Sequence, residues 1–306
     1  MNYRIVFRLS LVITLLMAGA ARASVEVFAC EPEWSALAVA IGGDKLDSQS
    51  ATNALQDPHY IQARPGLIAQ ARKADLLICS GSGLEAGWLP LLLRKANNPK
   101  IQPGQPGYLM ASDFVNRLEI PVTLDRAQGD MHAQGNPHIQ TDPRNLIPVA
   151  RVIAQRLQQI DPGNATTYQQ NLAIFEEKWT AAIASWQLRA EPLRGKSVVL
   201  HHRSWVYLNA WLGLVEVATL ETKPGLPPSA AHLNELLTQL RASPAALIIR
   251  TPYQDPKPSQ WLTRETGIPN AALPFTVGGT DAAIDLYSLY EVTINTLLDS
   301  MDTPGE

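Results

Sequence analysis

One uninterrupted helical segment limits the folds open to this chain more than any other feature. Tyr168, Leu172, Phe175, Trp179, Ile183 and Trp186 recur at spacings of three and four, the period of one helical face. The segment runs from Asn164 to Glu191, between Asp161-Pro162-Gly163 and Pro192. Its roughly 28 residues would extend about 42 Å, enough to cross a whole domain. A shorter helix, opened by Asp142-Pro143 and carrying Leu146, Val149, Val152, Ile153 and Leu157, precedes it.

On both sides of this pair, short apolar runs alternate with helical segments. Val25 to Cys30 (VEVFAC) leads into Trp34 to Ile41, and Leu67 to Ala74 leads into Leu76 to Cys79. Beyond Pro192, Ser197 to Leu200 (SVVL), Trp205 to Leu212, Val215 to Thr219, His232 to Arg241, Ala246 to Ile249 and Ile284 to Leu298 repeat the alternation. Such alternation implies parallel strands in βαβ units. The predicted fold is α/β: two lobes, each with a mainly parallel sheet flanked by helices, joined by one long rigid helix. The expected division is an N-terminal lobe over 24–141, a helical segment over 142–192 and a C-terminal lobe over 193–306.

Residues 1–23 are set apart as a signal peptide. Arg4 and Arg8 precede the apolar run Leu9 to Ala20, which is shorter than the roughly 20 residues of a membrane span. Ala21-Arg22-Ala23 then places small residues at −3 and −1 of a cleavage site. This implies an exported protein acting in the periplasm. Cys30 is a poor lipid acceptor, because Glu26 interrupts the apolar stretch before it and Phe28 is too large for the usual acceptor motif. Cleavage leaves 22 basic against 28 acidic residues, a net charge of −6. With no run of Lys or Arg, a nucleic-acid partner is not expected.

With two cysteines and six histidines in the sequence, any metal chemistry must rest on imidazole and carboxylate. His59 follows Pro58 and His138 follows Pro137, so a fixed backbone φ precedes each imidazole. His201 and His202 directly follow SVVL, at the carboxyl end of a strand, where open α/β sheets place ligands. A carboxylate from the second lobe would complete a four-coordinate site. Asp281, after Gly278-Gly279, is the candidate, with a cap of the final helix as its other reading and Asp285 as the fallback ligand.

The segments DPHYIQARPG around His59, NPHIQTDP around His138, HRSWVYL from His202 and the GGTD that ends at Asp281 resemble the cluster A-I solute-binding proteins. These are the metal receptors of zinc and manganese ATP-binding-cassette importers. The resemblance covers nearly all of the chain after residue 23, in order. It implies two α/β lobes on one rigid helix, with metal in the cleft held by His59, His138, His202 and Asp281. His202 is chosen over His201 because the family's ligand precedes an aromatic by three positions and a tyrosine by five, as His202 precedes Trp205 and Tyr207. His201 is then a supporting or structural residue, and His232, in the first turn of a helix, has no metal role.

The chain departs from the zinc receptors in having only the short stretch QGDMHAQG, with His132 alone, where those carry a long loop of histidine and acid. His132 is open to two readings, a residue that hands metal inward or a solvated loop histidine. Cys30 and Cys79 also have two, a disulfide suited to an oxidising compartment or two buried thiols.

The expected function is a monomeric receptor that captures Zn(II) and delivers it to an ABC permease in the inner membrane, with a periplasmic metallochaperone as a second conceivable partner. Three imidazoles and one carboxylate favour zinc over manganese. A receptor for manganese or another divalent metal is the nearest alternative. A zinc hydrolase is the alternative of a different class, disfavoured because the chain has neither HExxH nor Gly-x-Ser-x-Gly. With one helix spanning both lobes, release is expected to come from local movement of the Asp281 segment or the His132 loop.

Overall fold

The computed structural model describes residues 24–123 and 132–302. The proposed signal peptide and the first four residues of QGDMHAQG lie outside them.

Two four-stranded sheets form, and every strand pair within them is parallel. The first contains β1 (Val25–Ala29), β2 (Leu46–Ser50), β3 (Leu76–Cys79) and β4 (Tyr108–Met110), in the order β2-β1-β3-β4. The second contains β5 (Ser197–Leu200), β6 (Val215–Thr219), β7 (Leu247–Arg250) and β8 (Asn270–Ala272), in the order β6-β5-β7-β8. The two sheets therefore share one topology. Connections from β1 and β5 depart to one side and the chain then crosses back, so a crevice opens at the carboxyl ends of the central strands.

The central strands are the apolar runs evident in the sequence, and LLIC of β3 is buried throughout. At the edges of the first sheet, β2 (LDSQS) is buried only at Leu46 and β4 (YLM) is apolar but only three residues long.

Helices α1 (Pro32–Gly42), α2 (Pro65–Lys73) and α3 (Leu89–Ala96) flank the first sheet. Next come α4 (Leu146–Ile160) and the long α5 (Ala165–Arg189), and the second lobe adds α6 (Val206–Leu212), α7 (Ala230–Ala242), α8 (Lys257–Thr266) and α9 (Leu286–Asp302). At 25 residues, α5 is three shorter than the sequence implied and about 37 Å long. Tight 3-10 turns at Pro162–Asn164 and Glu191–Leu193 take up the difference, because proline cannot donate the hydrogen bond that would continue the helix.

Helix α5 ties the halves together by contacts at both its ends. Near its start, Asn171 Nδ2 donates to the Ile41 carbonyl of α1 at 2.9 Å. At its far end, Trp186 Nε1 and Arg189 Nη1 donate to the Glu291 carboxylate of α9 at 3.0 and 2.6 Å. Its inner face of Tyr168, Phe175, Trp179, Ile183 and Trp186 is buried as the periodicity predicted. Those side chains join one apolar cluster that includes Val27 and Ile78 of the first sheet together with Val198 and Ile249 of the second.

The lobes also meet directly. Thr276 Oγ1 accepts from the Glu33 backbone N–H at 3.1 Å and donates to the Glu33 carboxylate at 2.5 Å. Burial raises the Glu33 carboxyl to about 7 against the pull of the Thr276 hydrogen bond, and the nearby Glu85 carboxylate adds to the rise. The folded state therefore holds this proton more tightly than the unfolded chain, and stability falls as pH rises from about 4.5 through 7. Glu33→Gln keeps the shape and removes the titration. The variant should melt close to wild type at pH 5 and higher than wild type at pH 8, since wild type loses up to about 1.4 kcal/mol for each pH unit crossed between the unfolded value of 4.5 and the folded value of about 7. A melting difference that is the same at both pH values would exclude this account.

Candidate metal site

Three of the four residues expected to bind metal converge between the lobes. His59 lies in the loop after β2, His138 immediately before the 3-10 turn that leads to α4, and His202 just past the end of β5. One ring nitrogen from each lies within 4.8 Å of those of the other two. The ring centroids stand 5.4 to 5.7 Å apart, each pair steeply tilted. Nitrogens sharing one tetrahedral zinc sit about 3.3 Å apart, so the three rings need to move inward by at most about 1 Å each.

Carboxylates fix the orientation of two of the rings. Asp57 Oδ1 accepts from His59 Nδ1 at 2.7 Å and from the His59 backbone N–H at 3.0 Å. Glu221 Oε2 accepts from His202 Nδ1 at 2.7 Å and from the Gly225 N–H at 2.9 Å. With Nδ1 donating in both cases, Nε2 is the unprotonated nitrogen of His59 and of His202 and can turn to an ion, that of His59 in exchange for its contact with His132. Burial raises the Asp57 carboxyl, but the hydrogen bond and charge of His59 outweigh it and hold the group below its usual range. Trp88 Nε1 donates to the Pro58 carbonyl at 3.0 Å and pins the turn that carries His59.

His138 is held differently. Its ring is 1% exposed and packs against Phe275 at 5.3 Å, and neither ring nitrogen has a hydrogen-bond partner in the protein. Only its backbone is tied, the N–H donating to Asn136 Oδ1 and the carbonyl accepting from Thr141 Oγ1, both at 3.0 Å. Burial depresses its pKa well below the usual value, and the imidazoles of His59, His202 and His132 depress it further. A neutral ring with unsatisfied nitrogens is a ligand that need not lose a proton to bind.

The fourth expected ligand is elsewhere. Asp281 sits exposed at the tip of a turn closed by Gly278 N–H to Ala283 O at 2.6 Å and Ala283 N–H to Thr280 O at 3.1 Å. Those bonds turn its side chain to solvent. Asp285, the fallback, caps α9, its Oδ1 accepting from the Ser288 N–H at 2.7 Å. Neither acid belongs to the histidine group. The cap considered for Asp281 thus falls to Asp285.

Of the other histidines, His201 is buried beside Tyr253 and Asp255 in a cavity that His59 and His202 also line, but its ring is not one of the three that cluster. His232 Nε2 lies 2.9 Å from the Thr219 carbonyl, joining α7 to the end of β6. His132 comes to the site: its Nε2 stands 3.3 Å from His59 Nε2. A cavity of about 360 Å³ opens beside His132, His138 and His202, with Glu119 and Arg203 in its wall.

The residues that sequence reasoning missed are Asp57 and Glu221. Asp57 could have been found from Asp57-Pro58-His59, where an aspartate two positions ahead can reach both the backbone and the ring of the histidine. Glu221, 19 positions from His202, left no such signal. Replacing either acid by alanine should weaken metal binding about 10- to 100-fold with the circular-dichroism spectrum unchanged, because the ring would lose its orientation and not its ligating nitrogen. Unaltered affinity in both variants would remove the carboxylates from the site.

Cys30 and Cys79 are joined by a disulfide between the carboxyl ends of β1 and β3, with Cα atoms 4.8 Å apart. Glu85 lies close enough for the three residues to resemble a second metal cluster. Bonded sulfurs are not thiolates, so that cluster has no donor set for an ion.

Residues 27–300 match the family model described as zinc-uptake complex component A, periplasmic. The chain is 26% identical over 241 residues to the manganese ABC transporter substrate-binding lipoprotein PsaA of Streptococcus pneumoniae, covering 77% of this chain and 74% of that one. It is 23% identical over 273 residues to the zinc-binding lipoprotein AdcA of S. pneumoniae serotype 4, covering 87% of this chain and 53% of that protein. Among solved structures, a crystal structure of ZnuA superposes with a TM-score of 0.74 at 23% identity, covering 89% of this chain and 99% of that one.

Proposed function

Because the chain belongs to the ZnuA family, the periplasmic component A of zinc-uptake complexes, we propose that it captures Zn(II) between its lobes and hands the ion to an ABC permease in the inner membrane. Members of this family are substrate-binding proteins of metal ABC transporters and not enzymes. The observation that carries the choice of zinc is the convergence of three imidazoles, two of them with a carboxylate on the outer nitrogen. Imidazole suits zinc, whereas manganese prefers oxygen.

A manganese receptor is the second reading, favoured by the relative named for that metal. The metal carried by the protein isolated from its own compartment separates the two, because nearly any such site binds zinc above manganese in vitro. Zinc is expected in the isolated protein, and manganese there would reverse the assignment.

The periplasm is the proposed compartment, reached through cleavage after Ala23. Several relatives are named as lipoproteins, and the burial of Cys30 and its bond to Cys79 favour the unanchored reading. No helix among the described residues is long and apolar enough to cross a membrane. The receptor acts as a monomer in this reading, with a metallochaperone as a further donor of metal. Its cleft remains reachable through the cavity beside His202, so the ion can enter without the lobes separating.

A further inference from the structure

We infer that His132 supplies the fourth nitrogen of the metal site, so that the ion is held by four imidazoles and no carboxylate. The inference deepens the zinc reading above and rests on it.

The first observation is a length. Two nitrogens on one tetrahedral zinc, each bonded at about 2.0–2.1 Å, are separated by about 3.3–3.4 Å. His132 Nε2 and His59 Nε2 stand 3.3 Å apart, joined in the metal-free protein by a hydrogen bond that His132 donates, because the proton of His59 is on Nδ1. An ion would replace that proton at the same spacing, with the His132 proton moving to its Nδ1, whereas His138 and His202 still have to close around the ion.

The second observation is orientation. Asp57 takes the Nδ1 side of His59, so its Nε2 lone pair points inward toward His132. On the other ring, His132 Nδ1 lies against Gly83, 3.5 Å from where a β-carbon on that glycine would stand, which leaves Nε2 as its cleft-facing atom. The carbonyl of His132 accepts from the Gly135 N–H at 3.1 Å, which fixes the backbone beneath the ring. Its ring also meets that of His138 edge-on, with centroids 6.3 Å apart.

The third observation is the position of the acids. Asp57 and Glu221 are engaged with outer nitrogens, Glu119 in the cavity wall is paired with Arg203 and Asn136, Asp281 is exposed, and Asp285 caps α9. Among the described residues that leaves His132 as the side chain in position to occupy the place an acid was expected to fill. The consequence is chemical: a sphere of nitrogen alone disfavours manganese more strongly than three histidines with one carboxylate would.

X-ray absorption of the zinc-loaded protein tests this, with Zn(II) titrated into wild type, His132→Ala and Asp281→Ala. Four imidazole scatterers are expected in wild type and in Asp281→Ala, and three with one oxygen in His132→Ala. Affinity in His132→Ala should fall roughly 10- to 100-fold, since water can take the open position. Three imidazoles in wild type, unchanged by His132→Ala, would overturn the inference even if affinity dropped, because loss of packing alone could weaken binding. A wild type that binds no zinc would instead defeat the zinc reading itself, which keeps the two failures distinct.

Discussion

His138→Ala is expected to weaken zinc binding by about 10²- to 10³-fold, the largest single-residue effect on the site. The magnitude follows from structural zinc sites, whose binding free energy of about 10–16 kcal/mol is shared among four ligands. His138 should lie at the upper end because it binds without competition. Its ring is buried, neutral and without a hydrogen bond in the protein, so the ion gains a ligand and breaks no existing interaction. The orientation of the other rings does not compensate, since neither Asp57 nor Glu221 can replace the lost nitrogen. Thermal unfolding gives a second readout. Zinc raises the melting temperature of any protein that binds it only when folded, by an amount that grows with the ratio of free metal to Kd. That rise should shrink sharply in the variant, while its metal-free melting temperature reports only the cavity left by the ring. A variant whose zinc affinity matches wild type would remove His138 from the site.

The largest effect on stability is expected from the disulfide. Cys30 and Cys79 are 49 positions apart, and closing a loop of that length removes about 4 kcal/mol of chain entropy from the unfolded state. The double variant Cys30→Ala, Cys79→Ala should therefore melt roughly 8–16 °C lower in oxidising buffer. The histidine rings are carried by other segments, so zinc binding at 25 °C should persist. In dithiothreitol strong enough to open a buried disulfide, wild type should approach the double variant. Equal melting temperatures in oxidising buffer would show that the bond constrains little.

Much of the architecture could be read from the sequence because its signals are local. The spacing of Tyr168 through Trp186 marked α5, and Ser197–Leu200 and Val215–Thr219 appeared with the bounds the structure gives them. The edge strands β2 and β4 and helix α3 were missed for a physical reason. LDSQS of β2 has a single apolar residue and is held by backbone bonds to β1, which leave no trace in side-chain pattern. LPLLLRKA of α3 is only eight residues long, too short for periodicity to stand out. Helix α8 and β8 escaped for similar reasons, since KPSQWLTRET is largely polar and β8 has three residues.

The site shows the same division. His59, His138 and His202 each follow a feature that fixes their backbone, a proline or a strand end, and the structure brings them together. Asp281 was chosen for its place after Gly278-Gly279 and by resemblance, and its position depends on how the turn from Gly278 to Ala283 closes, which no motif records. His132 could not be placed at all without coordinates, because its approach to His59 spans 73 positions of sequence.

The apolar cluster shared by both sheets and α5 also governs how the molecule comes apart. Each sheet keeps a cluster of its own on one face, around Phe28 and Leu77 in the first and Val199 and Ile248 in the second, while Val27 and Ile78 share one packed body with Val198, Ile249 and Trp179. Loss of one half would strip the other of the packing on that shared face, so the two lobes are expected to melt together and a cut between them to yield two weakened fragments.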